Sequence, residues 1–360
     1  MIKNLLKLKR FWKKKKVFLT GHTGFKGSWL VIFLTILGAK VYGYSLRAKK
    51  NSFYNIAKLD KILTKSIIGD VRDYNKLKKN IKNTSPDFIV HMAAQPLVRF
   101  SYDKPKYTYD VNTTGTLNIL NIVNEVKTIK NVLIVTTDKV YKNIKQDKYF
   151  EENDELGGYD PYSSSKACAE LICQSYSNSF FLNKKISCVS VRAGNVIGGG
   201  DFALNRIIPD YFRAYKTKKK LYLRYPNAIR PWQHVIEPLY GYLLLMMIMY
   251  KQKKTINTAF NFGPAKKNNI KVKKIISVLN TSLGKPIKII EAFNNKDNYK
   301  ESDILKLSSK KANKLLNWKP KYNIMDTMRL ITEWYIVYLR HRKEILNISK
   351  KQILNYVNLF

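Results

Sequence analysis

A short apolar run, Val17-Phe18-Leu19-Thr20, leads directly into Gly21-His22-Thr23-Gly24-Phe25-Lys26-Gly27, and a second apolar stretch, Ser28 to Leu37, follows and stops at Gly38. A buried strand, a glycine turn and a buried helix in that order open a βαβ unit, because only a parallel sheet covered on both faces hides such continuous apolar runs. The spacing G-x-x-G-x-x-G departs from the commoner G-x-G-x-x-G, but the physics is the same. Glycine tolerates positive φ, lets the backbone approach a pyrophosphate, and leaves that anion on the N-terminus of the next helix. A dinucleotide site at Gly21, Gly24 and Gly27, with His22 and Phe25 inside the turn, is the expectation.

The same rhythm continues for half the chain. Lys40–Ser45 and Ser66–Ile68 read as strands, the latter followed by Gly69-Asp70-Val71. Asp87–Met92 is the next strand, ending at Ala93-Ala94. Val111–Val126 reads as a long helix, Val132–Thr136 as a strand, Tyr162–Ser177 as a helix and Ile186–Arg192 as a strand. The fold class predicted is α/β, a Rossmann-type doubly wound parallel sheet. Beyond Gly194 the alternation loosens, Gly198-Gly199-Gly200-Asp201 opens a loop, and a smaller C-terminal α/β domain is expected over the carboxyl ends of the strands. Asp70 lies where an adenine can meet a carboxylate, and Ala93-Ala94 lets a cofactor pass a strand end closely. No carboxylate follows the turn by about 20 residues, where NAD ribose is usually held. The second strand ends instead in Tyr44-Ser45-Leu46-Arg47. Arg47 faces either a 2′-phosphate or water, so the residues leave NAD and NADP open.

Composition excludes more than it proposes. The longest apolar candidate, Leu239–Tyr250, falls short of the about 18 residues of a membrane span and reads as a buried helix. Met1–Lys16 is basic but lacks the apolar stretch of a signal peptide. The three cysteines, Cys168, Cys173 and Cys188, have no metal-ligand spacing, so a reducing cytoplasm and no metal are expected. The net charge of +41 suggests nucleic acid. Lysine is spread along the whole chain together with Asn, Ile, Tyr and Phe, however, as AT-rich codon usage would spread it. No nucleic-acid partner is therefore expected.

Two clusters carry chemistry. Tyr162 and Lys166 stand at i and i+4 on one helix face. An ammonium beside the phenol, together with a positively charged nicotinamide, stabilises the phenolate, so the tyrosine takes a hydroxyl proton as hydride leaves the same carbon. The second cluster is Thr136-Thr137-Asp138-Lys139, a hydroxyl, an acid and an amine directly after a strand, where side chains face the ligand crevice.

With these residues in view, the chain resembles the extended short-chain dehydrogenase/reductase family, and within it the nucleotide-sugar 4,6-dehydratases of the branch that takes CDP-glucose. The resemblance rests on Gly21 to Leu30, His91-Met92-Ala93-Ala94-Gln95-Pro96-Leu97-Val98-Arg99, Arg192 to Asp201, and Arg230-Pro231-Trp232-Gln233-His234-Val235. It implies NAD as cofactor, with Gly21, His22, Gly24, Phe25, Gly27, Asp70, Val71, Ala93, Ala94, Tyr162 and Lys166 around it. It implies Thr137, Asp138, Lys139, Tyr162 and Lys166 as catalytic residues, with Asp138 the acid at C6 and Lys139 at the position of the C5 base. The wider family has glutamate at that position. A lysine there acts as base only when neutral, which burial beside Lys166 and the nicotinamide charge would favour. Arg99, Asn195, Arg206 and Arg230 are implied for the nucleotide diphosphate, since the planar guanidinium fork grips phosphate oxygens.

The domains expected on this basis are 1–195, with 232–256 returning, for the cofactor, 196–231 and 257–345 for the nucleotide sugar, and a helical tail at 346–360. A homodimer or homotetramer through the faces of 111–126 and 162–177, with no membrane partner, is implied as well. A 4-epimerase of the same fold, or a dehydratase of GDP- or dTDP-hexoses, are the nearest alternatives. A basic nucleic-acid binder and a catalytically silent dinucleotide binder stand further off.

Overall fold

Apolar runs too regular to face water dictate the centre of the molecule. In the computed structural model, which describes residues 2–142, 147–252, 254–284, 286–291 and 304–360, these runs become parallel strands. The chain lays down β1 (Lys16–Thr20), β2 (Lys40–Ser45), β3 (Lys65–Ile68), β4 (Phe88–His91), β5 (Asn131–Val135) and β6 (Ser187–Ala193). It then forms β7 (Asn195–Ile197), β8 (Leu221–Leu223), β9 (Ile229–His234), β10 (Asn257–Phe262), β11 (Asn269–Lys271) and β12 (Ile289–Glu291). A seven-stranded sheet runs in the order β10-β6-β5-β4-β1-β2-β3, all pairs parallel. The order reverses between β1 and β4, which is where an open α/β sheet leaves a crevice for ligands. Pairing of Thr20 with both Tyr44 and His91, and of His91 with Ile134, brings the carboxyl ends of four strands level at that crevice.

Every residue of β4, β5 and β6 is buried. Helices Phe25–Ile36 and Ile236–Lys251 are apolar almost all round and cover the sheet. Helix Pro161–Tyr176 starts where its sequence says it must. Asp160 caps it by accepting from the Ser163 N–H at 3.0 Å, and Pro161 occupies the first turn, where no N–H is needed. The second layer holds a three-stranded sheet, β11-β9-β7, a two-stranded one, β12-β8, and helices Ile207–Thr217 and Val272–Leu283.

Three expectations are corrected. The helix placed at 111–126 begins earlier, at Pro105, and passes through a wide π turn at Asp110–Thr114 before Gly115–Glu125. Residues 257–262, assigned to the second domain, form β10 and complete the central sheet beside β6. The tail expected to be helical at 346–360 is a helix, Ile345–Val357, and it packs into the core rather than lying apart from it. Ile345, Ile353, Tyr356 and Val357 of helix Ile345–Val357 are buried, and the Tyr240 ring lies 4.5 Å from that of Phe360. Of the expected second-domain segment, 292–303 lies outside the described residues. Among the described residues no helix is long and apolar enough to cross a membrane, and none group as metal ligands.

Candidate functional site

The glycine turn is shaped by what it cannot accommodate. Gly21 has φ +76°, and a Cβ there would stand 2.7 Å from the Ala93 nitrogen at the end of β4. A Cβ on Gly27 would strike the Gly21 carbonyl oxygen. The turn is thus folded against the helix on one side and the strand end on the other. Gly24 caps helix Phe25–Ile36 without a side-chain bond, and the first turn of that helix has no acidic residue. Unsatisfied N–H groups and the positive end of the helix dipole together make an anion cradle. A dinucleotide pyrophosphate fits it.

Around this cradle opens a cavity of about 1340 Å³, larger than the 300–1,000 Å³ usual for one small ligand. Its walls include Gly21, Gly24, Phe25, Gly27, Asp70, Val71, Ala93 and Ala94 from the cofactor expectation. Thr137, Asp138, Lys139, Tyr162 and Lys166, and the substrate candidates Arg99, Asn195, Arg206 and Arg230, line it too. His22 does not line it. Its ring is buried behind the turn, shares a hydrogen bond with Ser66 Oγ at 2.9 Å and meets Tyr54 edge-on, so it packs the fold and its side chain is turned from the cavity. Asp70 faces the cavity with its carboxylate already engaged, accepting from Arg72 Nε at 3.0 Å and Nη2 at 2.7 Å. The Arg72 guanidinium holds it below the usual carboxylate range. Arg47 is exposed.

The chemical end is built on the strand ends. Thr136 at the end of β5 donates to Glu170, which also accepts from Ser190 Oγ and grips Arg192 through Nε and Nη2, both at 2.9 Å. This buried ion pair ties helix Pro161–Tyr176 to β5 and β6 one turn from Lys166. One turn nearer the cavity, Lys166 Nζ donates to the Val135 carbonyl at 3.0 Å. Burial pulls the Lys166 amine down to about 8, with the Glu170 charge opposing.

Burial pushes the Tyr162 phenol up to about 12, while a hydrogen bond with Thr137 and the charge of Arg206 pull it back. Lys166 donates to the Val135 carbonyl, and Arg206 is the cation whose charge lowers the phenol. Asp138 accepts from Thr137 Oγ1 at 3.0 Å through one carboxyl oxygen, and its other oxygen is buried without a partner among the described residues. Burial raises this carboxyl, against Lys139, the Thr137 hydrogen bond, Arg230 and Lys26. A carboxyl so placed favours its protonated form, as an acid must. Lys139 is half-buried, and its backbone N–H reaches Thr137 Oγ1 at 3.4 Å. Arg206 is oriented by Asp201 at 2.9 Å, and buried Arg230 donates from Nη1 to the Ile229 carbonyl at 3.0 Å.

The profile of the family described as GDP-mannose 4,6 dehydratase matches residues 18–331. CDP-glucose 4,6-dehydratase of Salmonella typhimurium is 41% identical, covering 97% of this chain and 98% of its own. The chain belongs to this dehydratase family. Solved structures agree on the fold. The NAD complex of dTDP-glucose 4,6-dehydratase from Bacillus anthracis superposes with a TM-score of 0.74 at 22% identity, covering 92% of this chain and 99% of its own. An epimerase of Methanothermobacter thermautotrophicus gives 0.80 at 21%, covering 94% and 97%. For a member of the dehydratase family, the sequence missed Lys26, Asp201 and the Glu170–Arg192 pair. The i+4 spacing of Glu170 from Lys166 was the one signal available for that pair.

Proposed function

We propose that the chain is an NAD-dependent hydro-lyase that converts CDP-glucose to CDP-4-keto-6-deoxyglucose. The observation that carries this reading is Asp138, a buried carboxyl held toward its acid form beside Lys139, Tyr162 and Lys166, in a chain 41% identical to a CDP-glucose 4,6-dehydratase. A 4-epimerase only removes and restores hydrogen at one carbon and has no use for such an acid.

When bound, NAD supplies a hydride acceptor for C4 and a hydride donor for C6. Gly21, Gly24 and Gly27 hold its pyrophosphate, and Ala93 and Ala94 leave room for it at the end of β4. Tyr162 removes the C4 hydroxyl proton, with Thr137 sharing a hydrogen bond and Arg206 stabilising the phenolate charge. The resulting ketone acidifies C5–H. Lys139 takes that proton while Asp138 gives its own to the C6 hydroxyl, and water leaves. The ammonium of Lys139 returns a proton to C5 as C6 is reduced, which closes the cycle with NAD unchanged. Arg99, Asn195, Arg206 and Arg230 take the nucleotide diphosphate. A 4-keto-6-deoxy sugar is feedstock for the deoxysugars of surface polysaccharides, lipopolysaccharide among them. A cytoplasmic homodimer or homotetramer suits the three free cysteines and the exposed Leu117 and Leu171 on the two central helices.

Incubation with CDP-, dTDP- and GDP-hexoses, read by the alkaline absorbance of the keto sugar, tests the assignment. Product from CDP-glucose is expected, and its absence overturns the reading.

A further inference from the structure

The phosphate turn carries a lysine that the reaction above leaves unused. Lys26 lies in the first turn of helix Phe25–Ile36, between Gly24 and Gly27, and its side chain lines the same cavity as Asp138, Tyr162, Lys166 and Arg206. Among the described residues its amine makes no hydrogen bond or ion pair. The charged groups that act on it come from three elements. Lys166 belongs to helix Pro161–Tyr176, Arg206 to the loop before helix Ile207–Thr217, and Asp138 to the turn after β5. Arg206 is already paired with Asp201, and Glu170 opposes the charge of Lys166, whereas the carboxyl that acts on Lys26, Asp138, leans toward its neutral form. Such a cluster lacks an anion of more than one charge. On this fold the glycine cradle offers one place for a diphosphate, and Arg206 with Arg230 offers another. Lys26 lines the cavity that holds both, and the Arg206 charge acts on it.

We propose that Lys26 is a diphosphate-binding residue, reaching from the glycine turn toward the second domain to hold the dinucleotide pyrophosphate, the nucleoside diphosphate of the substrate, or both. The substrate half of this inference rests on the function proposed above. Burial and the charges of Lys166 and Arg206 pull the Lys26 amine down to about 8, so much of it is neutral above that pH. An anion arriving beside it favours the ammonium, so binding draws in a proton.

Titration calorimetry at pH 8.5 in two buffers of different protonation enthalpy reads both affinity and proton uptake. NAD alone and CDP alone form separate arms that assign the anion. Lys26→Met is expected to bind at least one of them on the order of tenfold more weakly and with less proton uptake. Lys26→Arg, which is always charged, is expected to restore affinity while taking up less than the wild type. Circular dichroism establishes that both variants are folded. Wild-type affinity for both ligands in folded Lys26→Met overturns the proposal, whatever the activity of the enzyme. Conversely, failure of the wild type to make a keto sugar from CDP-glucose, with the Lys26 effect on NAD intact, sinks the functional reading and leaves this one standing.

Discussion

The two ends of the cavity are made of different materials. At the cofactor end the instrument is backbone. Gly21, Gly24 and Gly27 act by what they lack, and Ala93 and Ala94 by being small. At the chemical end the instruments are charges: Asp138, Lys139, Tyr162, Lys166, Arg206 and Arg230, several shifted by burial. Shape of the first kind is insensitive to pH and fails by collision. Function of the second kind depends on protonation and fails when one partner is removed.

Substitutions at the two ends should therefore fail in different ways. The largest effect belongs to the chemical end. Tyr162→Phe should cut kcat by about 10³–10⁴-fold while NAD binding, followed by fluorescence quenching, stays within a few-fold of wild type. Normal turnover would remove Tyr162 from the reaction. Next, Glu170→Ala strands Arg192 in the core and should cost about 3–5 kcal/mol of stability in urea unfolding. A change near zero would mean the network is relayed by water. Asp138→Asn should lower keto-sugar formation by about 10²–10³-fold yet leave hydride transfer from C4 visible as absorbance at the nicotinamide band. Loss of both steps together would show that Asp138 is not specific to dehydration. Gly27→Ala marks the other end. Its methyl strikes the Gly21 carbonyl, so NAD affinity should fall and stability drop by about 1–3 kcal/mol at every pH.

The broadest effect is on acid stability. His22 is held down to about 4, and His91 and His234 to about 3, each from 6.5 and each chiefly by burial. Folded pKa values below the unfolded ones mean that the unfolded chain binds more protons as pH falls. Stability is full above about 6.5 and is lost progressively toward pH 3, by up to about 1.4 kcal/mol per pH unit for each group. Urea midpoints that do not move between pH 7 and pH 5 would contradict the burial of these rings.

Legibility followed the same division. Backbone-made features were plain in the sequence, because apolar periodicity and glycine spacing are local: β2 and the start of helix Pro161–Tyr176 fall within a residue of where the pattern put them. The edge strand β10 was assigned to the wrong domain. Asn257-Thr258-Ala259-Phe260-Asn261-Phe262 mixes polar and apolar residues, and only its pairing with β6 gives it away. Charge-made features were half legible. Asp138 stood out by its neighbours, but Lys26 is one basic residue among 66, and nothing local marks it as facing Asp138. Asp70 lines the cavity, but its ion pair with Arg72, two residues on, is not legible in the spacing. Burial of the Tyr162 phenol, which raises it, is likewise not written in the i,i+4 spacing.

The central claim is that Asp138 and Lys139 turn a reversible oxidation at C4 into a dehydration. Incubating the protein with CDP-glucose in D2O and following the sugar by proton NMR tests it most directly. CDP-4-keto-6-deoxyglucose carrying solvent deuterium at C5 is the expected product. Formation of the C4 epimer, with C5–H intact and the C6 hydroxyl retained, would contradict it.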